Sequence, residues 1–143
     1  MAHAGVTLHP ERIIAIASTV KLKDGTIAVT SAARARTVLR HEHGHALDLL
    51  LAASGSPAFV AAHAKESLDL AAWTGRNLPP GVEDDILYFL QKGASGRQET
   101  FAELFAERFG GGTATLINVA EAMPQTRETV RAIMDDLSQK GGR

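Results

Sequence analysis

The stretch that decides both the fold and the chemistry of this chain is His41-Glu42-His43-Gly44-His45, which fits the pattern H-E-x-x-H. On a helix, residues four apart lie one turn above each other on the same face. His41 and His45 can therefore offer imidazole nitrogens to one metal ion. Glu42 is rotated by about 100° from His41, so it stands beside that ion, where a general base must be. The pattern predicts a zinc site on a helix.

The H-E-x-x-H pattern is unlikely to occur by chance in a chain of this composition. With 6 His in 143 residues, a chain of this composition is expected to contain it roughly 0.015 times by chance. The alternative interpretation is an ordinary helix with two solvated histidines. The helix is rich in leucine here and we expect it to be buried, and unpartnered histidines and a carboxylate would be costly in such a place. A metal ion is the better explanation.

A catalytic zinc needs a third protein ligand, because such sites have three ligands and one open position. The best source is a later segment in which Glu99, Glu103 and Glu107 stand four residues apart on one helical face. A solvated face is the alternative, but like charges at this spacing repel and no Lys or Arg is interleaved before Arg108. His63 is the other candidate ligand, with a half-buried surface histidine as its ordinary interpretation.

Around the motif, the sequence predicts an α+β domain that is mostly helical, with a small N-terminal β-hairpin. The hairpin strands are expected over 13–20 and 26–30, around the turn at 23–25. The metal helix begins near Ala32, capped by Thr30 or Ser31. Its second half is apolar nearly all round, which indicates a central, buried helix.

The rest of the sequence predicts further helices that are separated by glycine and proline residues. A second helix is expected from Pro57 to about Trp73, a loop over 75–81, a short helix over 82–92 and another helix from about Arg97 to Phe109. The C-terminal segment predicts an amphipathic helix, with apolar residues at i, i+3, i+4 and i+7. These four residues are Val130, Ile133, Met134 and Leu137.

Composition excludes several classes of protein. A chain of 143 residues that is 45% hydrophobic and 22% charged fits one globular domain over 1–143. A net charge of −1 gives no basic field for nucleic acid. The absence of cysteine excludes disulfides and thiolate metal sites. No apolar run is long enough for a membrane span, and no secretory signal is visible in this chain.

Two motifs together carry a resemblance to a known family. His41-Glu42-His43-Gly44-His45-Ala46-Leu47-Asp48, followed by Glu99-Thr100-Phe101-Ala102-Glu103-Leu104-Phe105, resembles the catalytic domain of anthrax lethal factor and related zinc metallopeptidases. These proteins carry an H-E-x-G-H-A-x-D helix and a later E-x-F-A-E-x-F helix. The resemblance covers about residues 28–109 and implies a zincin-like fold.

The resemblance implies a role for each motif residue. His41, His45 and Glu99 would bind Zn²⁺, Glu42 would be the general base, and Glu103 would orient His41. The same pattern also fits with a shift of four residues, which would make Glu103 the ligand and Glu107 the orienting group.

A tyrosine upstream of the ligand glutamate supports the oxyanion in that family. Tyr88 stands eleven positions before Glu99 and is the candidate, with a role in the core as its alternative.

The function implied is a zinc-dependent endopeptidase with a protein or peptide substrate. We expect a monomeric toxin or effector domain, secreted or injected into a target cell, cytoplasmic otherwise, and restrained by a cognate inhibitor or immunity protein. The strand over 26–30 would pair with the substrate backbone, with Ile27 and Val29 facing the core. The alternatives are a catalytically silent zincin-like binding module, an intracellular processing peptidase of narrow specificity, and a helical interaction protein without metal.

Overall fold

The structure is a computed structural model that describes residues 5–8, 13–77, 89, 93–110 and 123–141. The fold is mostly helical, as predicted, and none of the described helices combines the length and hydropathy that crossing a bilayer requires. The strands are β1 (Gly5–Leu8), β2 (Ile13–Ile16), β3 (Thr19–Lys21) and β4 (Ile27–Val29). The helices are α1 (Ala32–Leu51), α2 (Pro57–Asn77), α3 (Ala94–Arg108) and α4 (Pro124–Gly141), with a 3-10 turn at Ala53–Gly55 after α1.

The N-terminal strands form two antiparallel hairpins rather than the single one predicted. β3 pairs with β4 around the expected turn, where Gly25 has a φ of +87°. β2 pairs instead with β1. The reason is that β4 ends at Val29. The following residue, Thr30, donates its N–H to the Ser18 carbonyl at 2.8 Å, and Ser31 already caps α1. Residues before Ser18 therefore find no partner on β4.

The residues of β4 that face the core also differ from those predicted. Ile27 and Val29 are 75% and 82% exposed, whereas Ala28 between them is half-buried. Side chains alternate along a strand, so only one of the two sets can face inward. The small side chain of Ala28 takes that position, and the expectation that Ile27 and Val29 face the core is wrong.

Helix α1 begins as predicted, with the Ser31 side chain accepting a hydrogen bond from Arg34 N. The expectation of a centrally buried helix is wrong. Its buried residues are Glu42, Gly44 and Asp48, whereas Leu50 is 68% exposed. At about 100° per residue, Leu50 stands about 160° from Asp48 around the helix. Gly44 and Asp48 share one face, whereas Glu42 lies about 160° from Gly44 around the helix. The buried residues of α1 are thus few and mostly polar, and the leucines that suggested burial are not among them.

The buried face of α1 packs against α3 in very close contact. A Cβ atom placed on Gly44 would lie 2.6 Å from the Cα atom of Ala102 and 2.9 Å from its carbonyl oxygen. Such separations are too short for any side chain, so only glycine fits at this point of α1. The two helices run in opposite directions, since His41 lies near Glu103 while Ser54, just after α1, contacts Arg97.

The apolar core lies beside this contact, between α2, α3 and α4. Phe59, Phe101, Leu104 and Val130 are at most 1% exposed and pack with Ala53. The predicted C-terminal stripe is confirmed in part, because Val130 is in the core and Ile133 and Met134 pack against it.

The predicted helix boundaries in this half of the chain are close to those observed. Helix α2 begins at Pro57 but continues to Asn77, so residues 75–77 are helical rather than part of a loop. Helix α3 begins at Ala94, three residues before the predicted start, and ends at Arg108. The helix predicted over 82–92 lies outside the described residues, apart from Phe89.

A buried carboxylate ties α2 to the start of α4. Glu66 is 5% exposed, and its oxygens accept hydrogen bonds from Gln125 N at 2.7 Å, Thr126 N at 2.8 Å and Thr126 Oγ1 at 2.6 Å. The first N–H groups of a helix have no partner within the helix, and a negative charge there is favourable. Glu66 therefore caps α4 from a neighbouring helix.

The contact between α1 and α3 gives the first testable prediction. In Gly44→Ala, the new methyl group must push the α3 backbone away, which we expect to cost roughly 1–3 kcal/mol, more than the gain of about 1 kcal/mol in helix propensity. Chemical denaturation measures the loss of unfolding free energy. Gly55→Ala is the control, because a Cβ atom there meets nothing within 4 Å. Equal stability of both variants would contradict the close packing.

Candidate metal centre

Two histidines present their ring nitrogens to each other on the α3 side of α1. The Nε2 atoms of His41 and His45 are 3.0 Å apart, and the ring planes are 82° from parallel. This arrangement follows from the four-residue spacing, which stacks the two side chains on consecutive turns. Their side chains are only 16% and 22% exposed.

Glu99 of α3 completes a group of three ligand atoms. Its Oε2 lies 3.2 Å from His41 Nε2 and 3.4 Å from His45 Nε2. Among the described residues, His41, His45 and Glu99 form a group whose ligand atoms all lie within 4.8 Å of one another. Glu99 Oε2 is buried and lacks a hydrogen bond of standard geometry to either histidine. The oxygen is thus close to both nitrogens but aligned with neither.

The dimensions of this triangle fit a zinc ion. Zinc bonds of about 2.0–2.1 Å at tetrahedral angles place neighbouring ligand atoms about 3.3–3.4 Å apart. The three observed separations are 3.0, 3.2 and 3.4 Å. Two neutral imidazoles and a carboxylate are also a donor set that zinc commonly takes. The residues present therefore fit the metal that the motif implies, and little movement would be needed to bind it.

The second nitrogen of His41 faces another carboxylate. His41 Nδ1 lies 2.5 Å from Glu103 Oε1, one turn along α3 from Glu99. The contact is short, but it lacks the alignment of a standard hydrogen bond, so we describe it as an ionic contact. Metal-binding histidines usually present their other ring N–H to a carboxylate, which fixes the orientation of the ring. Glu103 occupies that place beside His41.

The electrostatics of the group favour a charged His41 when no metal is bound. Burial lowers the pKa of His41, but contacts with Glu103 and Glu99 outweigh burial and raise that pKa from 6.5 to about 10. Burial likewise opposes ionisation of Glu99, yet its contacts with His41 and His45 hold the pKa of Glu99 well below 4.5. A metal ion binding at neutral pH must therefore displace a proton from His41, and its affinity decreases as the pH falls.

The other residues of the motif on α1 occupy distinct environments. Glu42, the predicted general base, is 6% exposed and follows His41 directly on α1, outside the group of three ligand atoms. His43 is exposed, and its Nδ1 lies 3.0 Å from the Leu39 carbonyl, one turn back on α1. Tyr88, predicted to support an oxyanion, lies outside the described residues.

Two further candidates from the sequence are engaged elsewhere. His63 is buried between α2 and α3, with Nε2 3.3 Å from the Phe89 carbonyl and 3.2 Å from Thr100 Oγ1. Glu107 forms an ion pair with Arg127 of α4. The structure thus brings His41 and His45 together with Glu99 and Glu103, and it places neither His63 nor Glu107 in that group.

Sequence reasoning missed the residues that hold α1 and α3 in place. The sequence motif includes Gly44 and Asp48, but it predicts no role for either residue. Gly44 allows the close approach of α3, and Asp48 accepts hydrogen bonds from both N and Oγ of Ser54 at 2.6 Å. A glycine inside a helix is a usable signal, because it lowers helix propensity and therefore suggests a packing reason.

Comparisons with protein-family models, with curated proteins and with solved structures find no match for this chain.

Matched variants test the ligand assignment. His45→Ala and Glu99→Ala each remove one atom of the triangle, and we expect each to abolish stoichiometric zinc or weaken its binding strongly. His43→Ala and Glu107→Ala remove the same side-chain types just outside the triangle and should leave zinc binding nearly unchanged. Zinc content after gel filtration, together with competition titration against a chromogenic chelator, measures both effects.

Glu103→Ala distinguishes the two registers of the glutamate helix. As the group that orients His41, Glu103 should contribute about 10–100-fold in affinity, less than Glu99. A larger loss in Glu103→Ala than in Glu99→Ala would contradict the assignment, as would equal losses in His43→Ala and His45→Ala.

Proposed function

We propose that this chain is a zinc-dependent endopeptidase with a zincin-like fold, acting on a protein substrate as a toxin or effector domain. One observation carries the proposal: two imidazole nitrogens and one carboxylate oxygen form a triangle with edges of 3.0, 3.2 and 3.4 Å. Three protein ligands that leave a fourth position for water or substrate are typical of catalytic zinc sites, whereas structural sites are closed by four.

Each residue of the site has a defined task in this proposal. His41, His45 and Glu99 would hold the ion, and Glu103 would keep the His41 ring in orientation. The chemistry that zinc supplies in such a site is Lewis acidity toward a carbonyl oxygen and activation of water. The Glu42 carboxylate would accept a proton from the attacking water and return it to the leaving amine nitrogen.

The presence of Glu42 supports an enzyme over a silent binding module. A site that only bound metal would need the two histidines and Glu99, but it would not need a second carboxylate next to His41. Glu42 is 6% exposed and directly follows the ligand His41 on α1. Proton transfer at the metal is the task that the motif predicts.

Two features support a protein substrate: the resemblance to lethal factor-like peptidases and the hairpin formed by β3 and β4. Within the described sheets, β4 pairs with β3 alone, so its other edge can accept an extended peptide by strand addition. The same proposal includes two further expectations. Tyr88 would support the oxyanion, and a cognate inhibitor would restrain the enzyme.

Glu42→Gln tests the mechanism. This change removes the base but no metal ligand, so we expect unchanged zinc content and a loss of peptide hydrolysis of about 10²–10⁴-fold or more. Cleavage of a proteome-derived peptide library, read by mass spectrometry, measures activity without knowledge of the substrate. Glu128→Gln, the same change at a side chain that is 74% exposed, is the control.

Two outcomes would overturn the proposal. Glu42→Gln cleaving as fast as the unmodified protein would refute the general base. Stoichiometric zinc with no cleavage of any peptide, before or after addition of excess zinc, would favour the silent binding module.

A further inference from the structure

The end of α1 is held by a buried pair of side chains just beyond the metal histidines. Asp48 stands three residues after His45, and its Oδ1 and Oδ2 accept hydrogen bonds from N and Oγ of Ser54, both at 2.6 Å. Asp48 and Ser54 are 5% and 6% exposed. Hydrogen bonds to a buried carboxylate are strong, so the turn after α1 is rigidly attached to the helix.

The same turn is attached to α3 just before the ligand glutamate. Arg97 Nε donates a hydrogen bond to the Ser54 carbonyl at 3.2 Å, and Arg97 precedes Glu99 by two residues on α3. A continuous set of hydrogen bonds therefore runs from Asp48 on α1, through Ser54, to Arg97 on α3. It joins the two helices that carry the three atoms of the metal triangle.

This connection adds a second restraint to the one that the helix packing supplies. The contact between Gly44 and Ala102 holds α1 and α3 together at one point. The hydrogen bonds through Ser54 hold them at a second point, and a slide along the helix axes would break those bonds. A slide of one residue moves a helical side chain by about 1.5 Å, and a slide of one turn moves it by about 5.4 Å. The first would spoil the triangle, and the second would bring Glu103 toward the place of Glu99.

We propose that Asp48, Ser54 and Arg97 are positioning residues that fix the axial register of α3 on α1, so that Glu99 meets the Nε2 atoms of both histidines. This inference rests on the proposed zinc site and assigns the residues that build it before metal binds. None of the three touches the ligand atoms, and they act through the positions of the two helices.

Two substitutions at Arg97 test the role of its hydrogen bond. Both new side chains are uncharged and similar in length, so the two variants differ mainly in whether they carry an N–H donor. Gln carries an N–H donor at the same number of bonds from Cα as Nε of Arg, whereas Met has a stem of similar length and no donor. We expect Arg97→Met to weaken zinc binding by about 10-fold, in the range of residues that orient metal ligands, and Arg97→Gln to bind zinc within about twofold of the unmodified protein. Competition titration with zinc alone gives both affinities.

A second position and a spectroscopic signature separate positioning from general stability. Ser54→Ala loses the hydrogen bond to Asp48 Oδ2 and should weaken zinc binding in the same direction as Arg97→Met. Cobalt(II) in place of zinc reports the ligand geometry through its visible absorption, and we expect Arg97→Met to change that spectrum. Glu66→Gln, which weakens the cap of α4 away from the site, should lower the melting temperature but leave zinc affinity and the cobalt spectrum unchanged.

The outcomes distinguish this inference from the proposed function. Absence of zinc binding by the unmodified protein would overturn the proposed metal site. Normal zinc binding together with unchanged affinity and cobalt spectra in Arg97→Met and Ser54→Ala would overturn the positioning role alone. Equal losses in Arg97→Gln and Arg97→Met would also overturn it, because the donor at Nε would then not matter.

Discussion

The rest of the site depends on the close contact between Gly44 of α1 and Ala102 of α3. Ala102 lies between Glu99 and Glu103 on its helix, just as Gly44 lies between His41 and His45. Because a Cβ atom on Gly44 would be 2.6 Å from Ala102 Cα, the two backbones lie closer at this point than any side chain would allow. Short carboxylate side chains can therefore reach the imidazoles, and two polar helix faces become a site.

This closeness has an electrostatic consequence. Two histidines and two glutamates share a region from which most water is excluded, and buried charges need partners. When no metal is bound, His41 meets this requirement by keeping its proton between Glu99 and Glu103, which is why its pKa is raised to about 10. A divalent cation would replace that proton with a charge at the centre of the triangle. The apolar core beside α3 supplies stability, while the face of α3 toward α1 carries Glu99 and Glu103 on either side of Ala102.

The sequence predicted what local patterns determine. The spacing of His41 and His45, the cap at Ser31 and the amphipathic stripe around Val130 each depend on residues close in the chain. What failed depends on neighbours distant in the chain. Burial of α1 was inferred from the number of leucines, but its partner α3 packs on the face of Gly44 and Asp48. The sequence predicted Glu99 as the third ligand but left Glu103 open as an alternative, because the choice depends on the axial position of α3 along α1, and no local pattern encodes that position.

A crystal structure of the zinc-loaded protein, with the ion located by its anomalous scattering, would show the metal ligands directly. We expect one zinc per chain, bound by Nε2 of His41, Nε2 of His45 and a carboxylate oxygen of Glu99 at about 2.0–2.2 Å. We also expect Glu103 to stay at His41 Nδ1 and a fourth position on the ion to face solvent. A zinc bound through Glu103, through His63 or through no residue of α3 would contradict the proposed site.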